Sequence, residues 1–305
     1  MAAPVAREEF VALCGRLVPQ AHVEFVDDGK NVHRTVQDAI RRGATLIAAA
    51  GGDGTINAVA TALIGSEVVL GVLPLGTLNH FSRDVGIPQE LEAALGVLNS
   101  GVVSTIDVGT VNGRIFLNNS GLGLYPDMVH NRVQRQKRGL SKWPAMFVES
   151  ARAFARFRLL RLQILIDGKA LVRRTPAVFV GNNEYSLEDT LAAKRETLVD
   201  GNLCLYIPHP DTRLGLVWFS LRAFFGSPKA DGGFDKFLTT EFSIQSHHRQ
   251  VRVSIDGEVV LMQPPLEYRS QARSLRVIVP AGATAVIPLH SGRSPVGGPN
   301  REEPA

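Results

Sequence analysis

Two cysteines, Cys14 and Cys204, are all that the 305-residue chain contains. That is too few for a disulfide framework, and neither belongs to a metal-ligand cluster, so a reducing compartment is the expected setting. Long apolar runs are lacking as well: none approaches the roughly 20 residues that a membrane-spanning helix needs. The segment from Met1 to Phe10 has no basic stretch followed by an apolar core, so no signal peptide is read there. Collagen-like repeats and long low-complexity tracts are absent. The expectation is a soluble cytoplasmic protein, at most peripheral at the inner face of a membrane. Charge of one sign is also scarce. A net charge of +4 argues weakly for any partner, and no nucleic acid is expected.

What is present is glycine and a rhythm that changes along the chain. The 29 glycines exceed the needs of a helical bundle and imply many tight turns. Length suggests about two domains. In residues 1–115 strands and helices alternate. Ala21–Val26, Thr45–Ala50 and Val68–Leu73 read as strands. Arg7–Leu17 reads as a helix, Val32, Val36, Ala39 and Ile40 mark a second closed by Gly43, and Pro88 to Gly101 brackets a third. Such alternation implies a mainly parallel sheet covered on both faces. Residues 116–280 carry a helical stretch at Ala145–Arg158 and then period-two segments. Leu162, Ile164 and Ile166 run into an Asp167-Gly168 turn, and Val251, Val253 and Ile255 into Asp256-Gly257, both hairpin signals. Leu275–Pro280 and Thr284–Leu289 read as short strands, and one near 281–290 is expected to return to the first domain. The second domain is therefore antiparallel β, a sandwich or flattened barrel, and 291–305 reads as a disordered tail.

The segment Gly51-Gly52-Asp53-Gly54-Thr55-Ile56-Asn57 follows a buried strand and opens a helical stretch, Ile56–Ile64. Ligands of open α/β sheets bind at the carboxyl ends of strands. Glycines there let backbone N–H groups approach phosphate oxygens, and the helix adds its positive end. Thr55 can cap the helix or bond a phosphate, and Asn57 can bond a nucleotide or fix the loop. Asp53 beside phosphates suggests a Mg²⁺ ion or a held hydroxyl. A plain glycine turn with a helix cap fits these residues equally well. The segment is neither a Gly-Lys-Ser/Thr phosphate loop nor a Gly-x-Gly-x-x-Gly fingerprint.

A second segment, Pro74-Leu75-Gly76-Thr77-Leu78-Asn79-His80-Phe81-Ser82-Arg83-Asp84, also leaves the end of a strand. Together the two resemble the diacylglycerol kinase catalytic domain family, which also holds sphingosine and ceramide kinases and bacterial lipid kinases. The resemblance runs over roughly residues 20 to 290. It takes in Asn118–Val129, Val180-Gly181-Asn182-Asn183, Asp200-Gly201-Asn202-Leu203 and Asp256-Gly257-Glu258 in the family's order.

The resemblance implies a Rossmann-like nucleotide domain (of the NAD kinase and diacylglycerol kinase type) joined to an antiparallel β-sandwich, with the site in the cleft between. It implies transfer of the γ-phosphate of ATP to a lipid hydroxyl, such as that of diacylglycerol, at a membrane surface, with Mg²⁺. Gly51, Gly52, Asp53, Gly54, Thr55, Ile56, Asn57, Gly76, Thr77 and Asn79 would form the ATP site. Glu258 would be the general base, with Asp53 also catalytic, and Thr197, Asp200 and Asn202 would hold a metal. An ordinary Asp-Gly turn also accounts for the residues at Glu258 and Asp200. Relatives usually begin with a strand and an Asn-Pro-x-Ser-Gly loop, whereas this sequence opens in the helix Arg7–Leu17. His80 stands where many relatives have Asp, Asp27 falls near a position that is often Thr, and Glu184–Glu196 replaces a glycine-rich segment.

Other features have bland readings beside sharp ones. Nine Lys or Arg residues and one acid, Glu149, lie between Met128 and Leu162, fitting a solvated helix face, an anionic membrane surface or a nucleic acid. Leu214–Phe225 fits a core helix or an interfacial one. His247-His248 lacks a third ligand and reads as surface. Two further functions stay open: an NAD kinase-like enzyme, and a nucleotide- or lipid-binding module with impaired catalysis. A homodimer is compatible with the sequence.

Overall fold

The computed structural model describes residues 6–123, 159–186, 194–195, 197–208, 234–283 and 287–288. The helical stretch expected at 145–158, the apolar stretch 214–225, most of the basic block and the tail at 291–305 lie outside them.

The first part comprises α1 (Arg7–Leu17), α2 (Val32–Arg41), β1 (Leu46–Gly51), α3 (Asp53–Leu63), β2 (Val69–Pro74), α4 (His80–Asp84) and α5 (Leu91–Ser100). Then follow β3 (Val102–Val111), β4 (Arg114–Phe116) and β5 (Asn119–Gly123). The remainder is β: β6 (Leu160–Ile166), β7 (Lys169–Thr175), β8 (Ala177–Asn182), β9 (Tyr185–Ser186), β10 (Lys194–Arg195), β11 (Leu203–Pro208) and β12 (Phe234–Thr239). It closes with β13 (Glu241–Ser246), β14 (Val251–Ile255), β15 (Glu258–Met262), β16 (Leu266–Val279) and β17 (Ile287–Pro288).

β1 and β2 pair in parallel, and β16 joins β2 in parallel through Val277 opposite Leu70. Helix α1 packs on α5 and α2 on α3. From Leu70 onward β2 is buried, as expected for a strand covered on both faces. Local signals set these elements well. Val32 and Val36 bury the inner face of α2, and Gly43, at φ +89°, takes the left-handed conformation that ends it.

The second part is a sandwich. One layer runs β16–β13–β6–β7, with β3 and β4 beside β16; the other runs β12–β11–β8–β5–β14–β15. Their inner faces meet in one core, with Phe116, Leu162, Ile164, Phe242 and Tyr268 from the first layer. Leu122, Val178, Val180, Leu205 and Val253 come from the second. Both expected hairpins form, with Asp167 and Asp256 at positive φ in their turns. The fold is thus an α/β unit joined to an antiparallel β-sandwich.

Two strands serve both units. β3 gives Ile106 and Val108 to the α/β core and Val111 to the sandwich core. β16 gives Leu275, Val277 and Val279 to the first and Leu266 and Tyr268 to the second. Leu275–Pro280, expected as a short strand of its own, is thus the end of a 14-residue strand with a register irregularity between Gln271 and Leu275. Only Ile287–Pro288 of the expected strand 284–289 lies within the described residues, paired with β3.

One expected strand is absent. Ala21–Val26 has no ladder partner, and it lines a cavity of about 2060 Å³ whose other wall is formed by Leu46 to Ala50 of β1. A strand exists by the hydrogen bonds of a neighbour, and among the described residues Ala21–Val26 pairs with none. β1 is left with one unpaired edge, and Ala48 and Ala50 are exposed despite an entirely apolar sequence.

Candidate active site

The glycine segment leaves β1 at Gly51 and enters α3 sooner than expected. The helix begins at Asp53, with Gly52 as its cap residue, so Asp53, Gly54 and Thr55 form its first turn. Thr55 is therefore not the cap. The first helical bond runs from the Ile56 N–H to the Gly52 carbonyl at 3.1 Å. The N–H groups of Asp53, Gly54 and Thr55 precede it and have no partner within the helix. Gly54 and Thr55 are exposed, whereas Ile56 is fully buried and serves the core.

Gly52 and Gly76 bring the two segments together. A Cβ on Gly76 would lie 2.4 Å from the Gly52 Cα, closer than any real contact, so glycine is required for this approach. Asp53 completes the junction. Its two carboxylate oxygens accept the backbone N–H groups of His80 and Phe81 at 3.3 and 3.2 Å, at the start of α4. Its observed work is to hold the second segment. Asn79 is buried at φ +52°, donates its amide to the Pro74 carbonyl and Gln89 at 3.3 Å each, and leaves its Oδ1 unpartnered. Thr77 is exposed beside it.

Glu258 arrives from the far end of the chain. It opens β15, is exposed, and places Oε1 3.0 Å from where a Cβ on Gly54 would stand. What holds it there is Asp256, two residues earlier. The Asp256 carboxylate accepts the N–H groups of Leu117, Asn118 and Asn119 at 2.7, 2.8 and 3.0 Å, and the Asn57 side-chain amide at 2.7 Å. Burial pushes the Asp256 carboxyl up from its ordinary value, while the N–H donors pull it back down. Gly52, Gly54, Thr55, Asn57, Glu258 and Arg114 all line the same cavity as the segment 21–26. Sequence reasoning did not single out Arg114. It names Asp256 as a turn residue and as part of the Asp256-Gly257-Glu258 motif but not as an anchor, because its donors lie 137 to 199 residues away in the chain.

The expected metal ligands sit apart from this cluster. Asp200 is exposed and accepts the Thr197 hydroxyl at 3.2 Å, and the Asn202 carbonyl accepts the Asn183 N–H at 2.9 Å. The adjoining Gly201 N–H goes to the buried Asp107 at 2.6 Å. This set offers one carboxylate with backbone carbonyls beside it; Mg²⁺ keeps several waters and is commonly bound through one or two carboxylates. Among the described residues no three His, Cys, Asp or Glu side chains come together as a metal site. Among them, too, no helix is long and apolar enough to cross a membrane.

The chain is similar to known proteins in sequence and in fold. A family model of the diacylglycerol kinase catalytic domain matches residues 6–111. A diacylglycerol kinase of Bacillus subtilis (strain 168) is 38% identical over 145 residues, 46% of this chain and 47% of that one. A probable lipid kinase YegS-like of Klebsiella pneumoniae (strain 342) is 41% identical over 104 residues, 33% of this chain and 35% of that one. The matches thus span about half, or less, of the length of these curated relatives. A crystal structure of a putative diacylglycerol kinase from Bacillus anthracis str. Sterne superposes with a TM-score of 0.69. It covers 88% of this chain and 89% of that one at 22% identity, which shows a shared fold.

Proposed function

We propose that the protein, whose residues 6–111 match the family model of the diacylglycerol kinase catalytic domain, is an ATP-dependent lipid kinase. Its acceptor is a lipid hydroxyl such as that of diacylglycerol, met at a membrane surface. The observation that carries the reading is the placement of the Glu258 carboxylate over Gly54, in the first turn of α3.

The chemistry follows from the parts. The exposed first turn of α3, with its unpaired N–H groups and positive end, suits the phosphates of a nucleotide, and Gly52 and Gly76 let the backbone approach them. Arg114, on the same cavity wall, adds positive charge where the transferring group would gain negative charge. A lipid alcohol is a poor nucleophile. Glu258 accepts its proton as the oxygen attacks the γ-phosphorus; the new P–O bond forms, the bond to the β-phosphate oxygen breaks, and ADP leaves. Mg²⁺, bound with the nucleotide, would neutralise charge on the phosphates. Asp53 acts by holding His80 and Phe81, and with them the second segment, against the first. The cavity lined by Gly54, Asn57, Arg114 and Glu258 extends back between β1 and the segment 21–26.

Transfer of labelled γ-phosphate from ATP to a panel of lipid alcohols tests the proposal, with NAD as a competing acceptor. Transfer to a lipid, reduced ~10²–10⁴-fold in Glu258→Gln, supports it. Transfer to NAD and to no lipid would replace it with the NAD kinase-like reading. Nucleotide binding without transfer to any acceptor would leave a binding module.

A further inference from the structure

Strand β10 ends on a side chain that lies in the interior. Arg195 is wholly buried, a rare place for a guanidinium unless every donor is met. Here all are met. Nε and Nη2 donate to Asp84 Oδ2 at 2.9 and 2.7 Å, and Nη2 also to Asn118 Oδ1 at 3.0 Å. Nη1 donates to the carbonyls of Leu117 at 2.6 Å and Asn182 at 3.1 Å. The Tyr185 ring lies 5.6 Å from the guanidinium, and its hydroxyl donates to the Asn118 carbonyl.

These partners have positions that matter. Asp84 is the last residue of α4, the short helix whose first N–H groups are held by Asp53. Leu117 and Asn118 form the corner between β4 and β5. The carbonyl side of that corner faces Arg195, and its N–H side faces Asp256, the residue that carries Glu258 and bonds Asn57 of α3. The links close on themselves. They run from α4 through Asp84 and Arg195 to the 117–119 corner, then through Asp256 and Asn57 into α3, and back through Asp53 to α4. The ring encloses both glycine segments and the hairpin of Glu258.

We propose that Arg195 is a positioning residue for phosphoryl transfer. Through Asp84 on one side and the 117–119 corner on the other, it sets the second segment and Glu258 relative to each other. Arg195 touches no substrate. The role rests on the kinase reading, while the ring itself does not.

The test uses the full chain with Arg195→Met, Arg195→Lys and Asp84→Asn, and two readouts. Amide hydrogen exchange requires no activity. Arg195→Met should speed exchange at His80 and Phe81 and at Leu117–Asn119 together, by ~10-fold or more, with β1 and β2 unchanged, as expected for one cooperative unit. In γ-phosphate transfer, kcat should fall ~10–100-fold, by a larger factor than KM rises, the loss typical of a residue that orients a reacting group. Arg195→Lys should recover part of it, since it keeps the charge without the planar fork. If Arg195→Met fails to fold, Asp84→Asn carries the same expectations at almost unchanged volume. Faster exchange confined to Leu117–Asn119, with His80 and Phe81 unaffected, would overturn the ring. Unchanged kcat in a folded Arg195→Met would overturn the positioning role. Absence of transfer in the unaltered protein would count against the kinase reading alone, with exchange still deciding the ring.

Discussion

Asn57 donates its side-chain amide to the Asp256 carboxylate at 2.7 Å, tying the helix of the glycine segment to the hairpin of Glu258, 199 residues away in sequence. The Asn57 amide is one of four donors that Asp256 accepts, and the other three are backbone N–H groups. Asp256→Asn turns one acceptor into a donor facing donors. It is expected to cost on the order of 1–3 kcal/mol, the penalty for unmet buried groups. Asn57→Ala should cost less, since three bonds to Asp256 remain. Urea unfolding of both variants checks the order; a larger loss in Asn57→Ala would contradict it.

The close approach of Gly52 and Gly76 makes a sharper claim. In Gly76→Ala the new methyl would stand 2.4 Å from the Gly52 Cα, so the two segments must part. Nucleotide affinity should fall ~10-fold or more. Gly96→Ala is the matched control. It lies within α5 with no atom within 4 Å of the added methyl, and should gain ~0.4–1 kcal/mol of stability. Isothermal titration with a nucleotide and thermal unfolding separate the two effects.

Both thiols are expected to be inert in the folded protein. Cys14 and Cys204 are buried, and burial pushes the Cys204 thiol up to about 11. The reactive species is the thiolate, so near neutral pH neither should react with a disulfide reagent until the chain unfolds. Counting thiols released before and after denaturant settles this, and a fast native reaction at either would refute it.

Alkaline pH should loosen the joint around Arg195. Burial raises the Tyr185 hydroxyl from 10.0 to about 12. A group raised on folding contributes stability that is full below its unfolded value and is lost as pH rises through its folded one. The loss from Tyr185 therefore falls between pH 10 and about 12. Tyr185→Phe, which keeps the ring and removes the ionising hydroxyl, should flatten this part of the stability curve. An unchanged slope in that variant would exclude Tyr185 as its source.

Much of the fold was legible because its signals are local. Val32 and Val36 at helical spacing, Gly43 after them, and the Asp-Gly turns at 167 and 256 each specify an element within a few residues, and each element forms. Ala21–Val26 shows where that logic stops. Its residues favour extended chain, but the strand needed a neighbour that sequence pattern does not report, and the segment lines a cavity instead. The candidate site divides in the same way. Gly51 to Asn57 and Gly76 are visible as glycines beside strand ends. Asp256 acts through partners 137 to 199 residues distant and Arg195 through Asp84, Leu117 and Asn118, 77 to 111 residues distant, and in the sequence the first stands in an Asp-Gly turn while nothing singles out the second. Asp53 was read as a metal or hydroxyl ligand, and in the structure its oxygens are engaged by the N–H groups of His80 and Phe81.

The sharing of β3 and β16 by both units bears on how the cleft can move. Two domains joined by a linker swing about a hinge, whereas these are continuous with one another along two paired strands. Opening the cleft therefore means twisting a ladder, and its softest point is the irregularity between Gln271 and Leu275, where Arg273 sits at φ +50°. Even there the Arg273 N–H is fastened to the buried Asp107 at 2.8 Å. The width of the cleft is thereby tied to the backbone of β3 and β16 rather than to a linker.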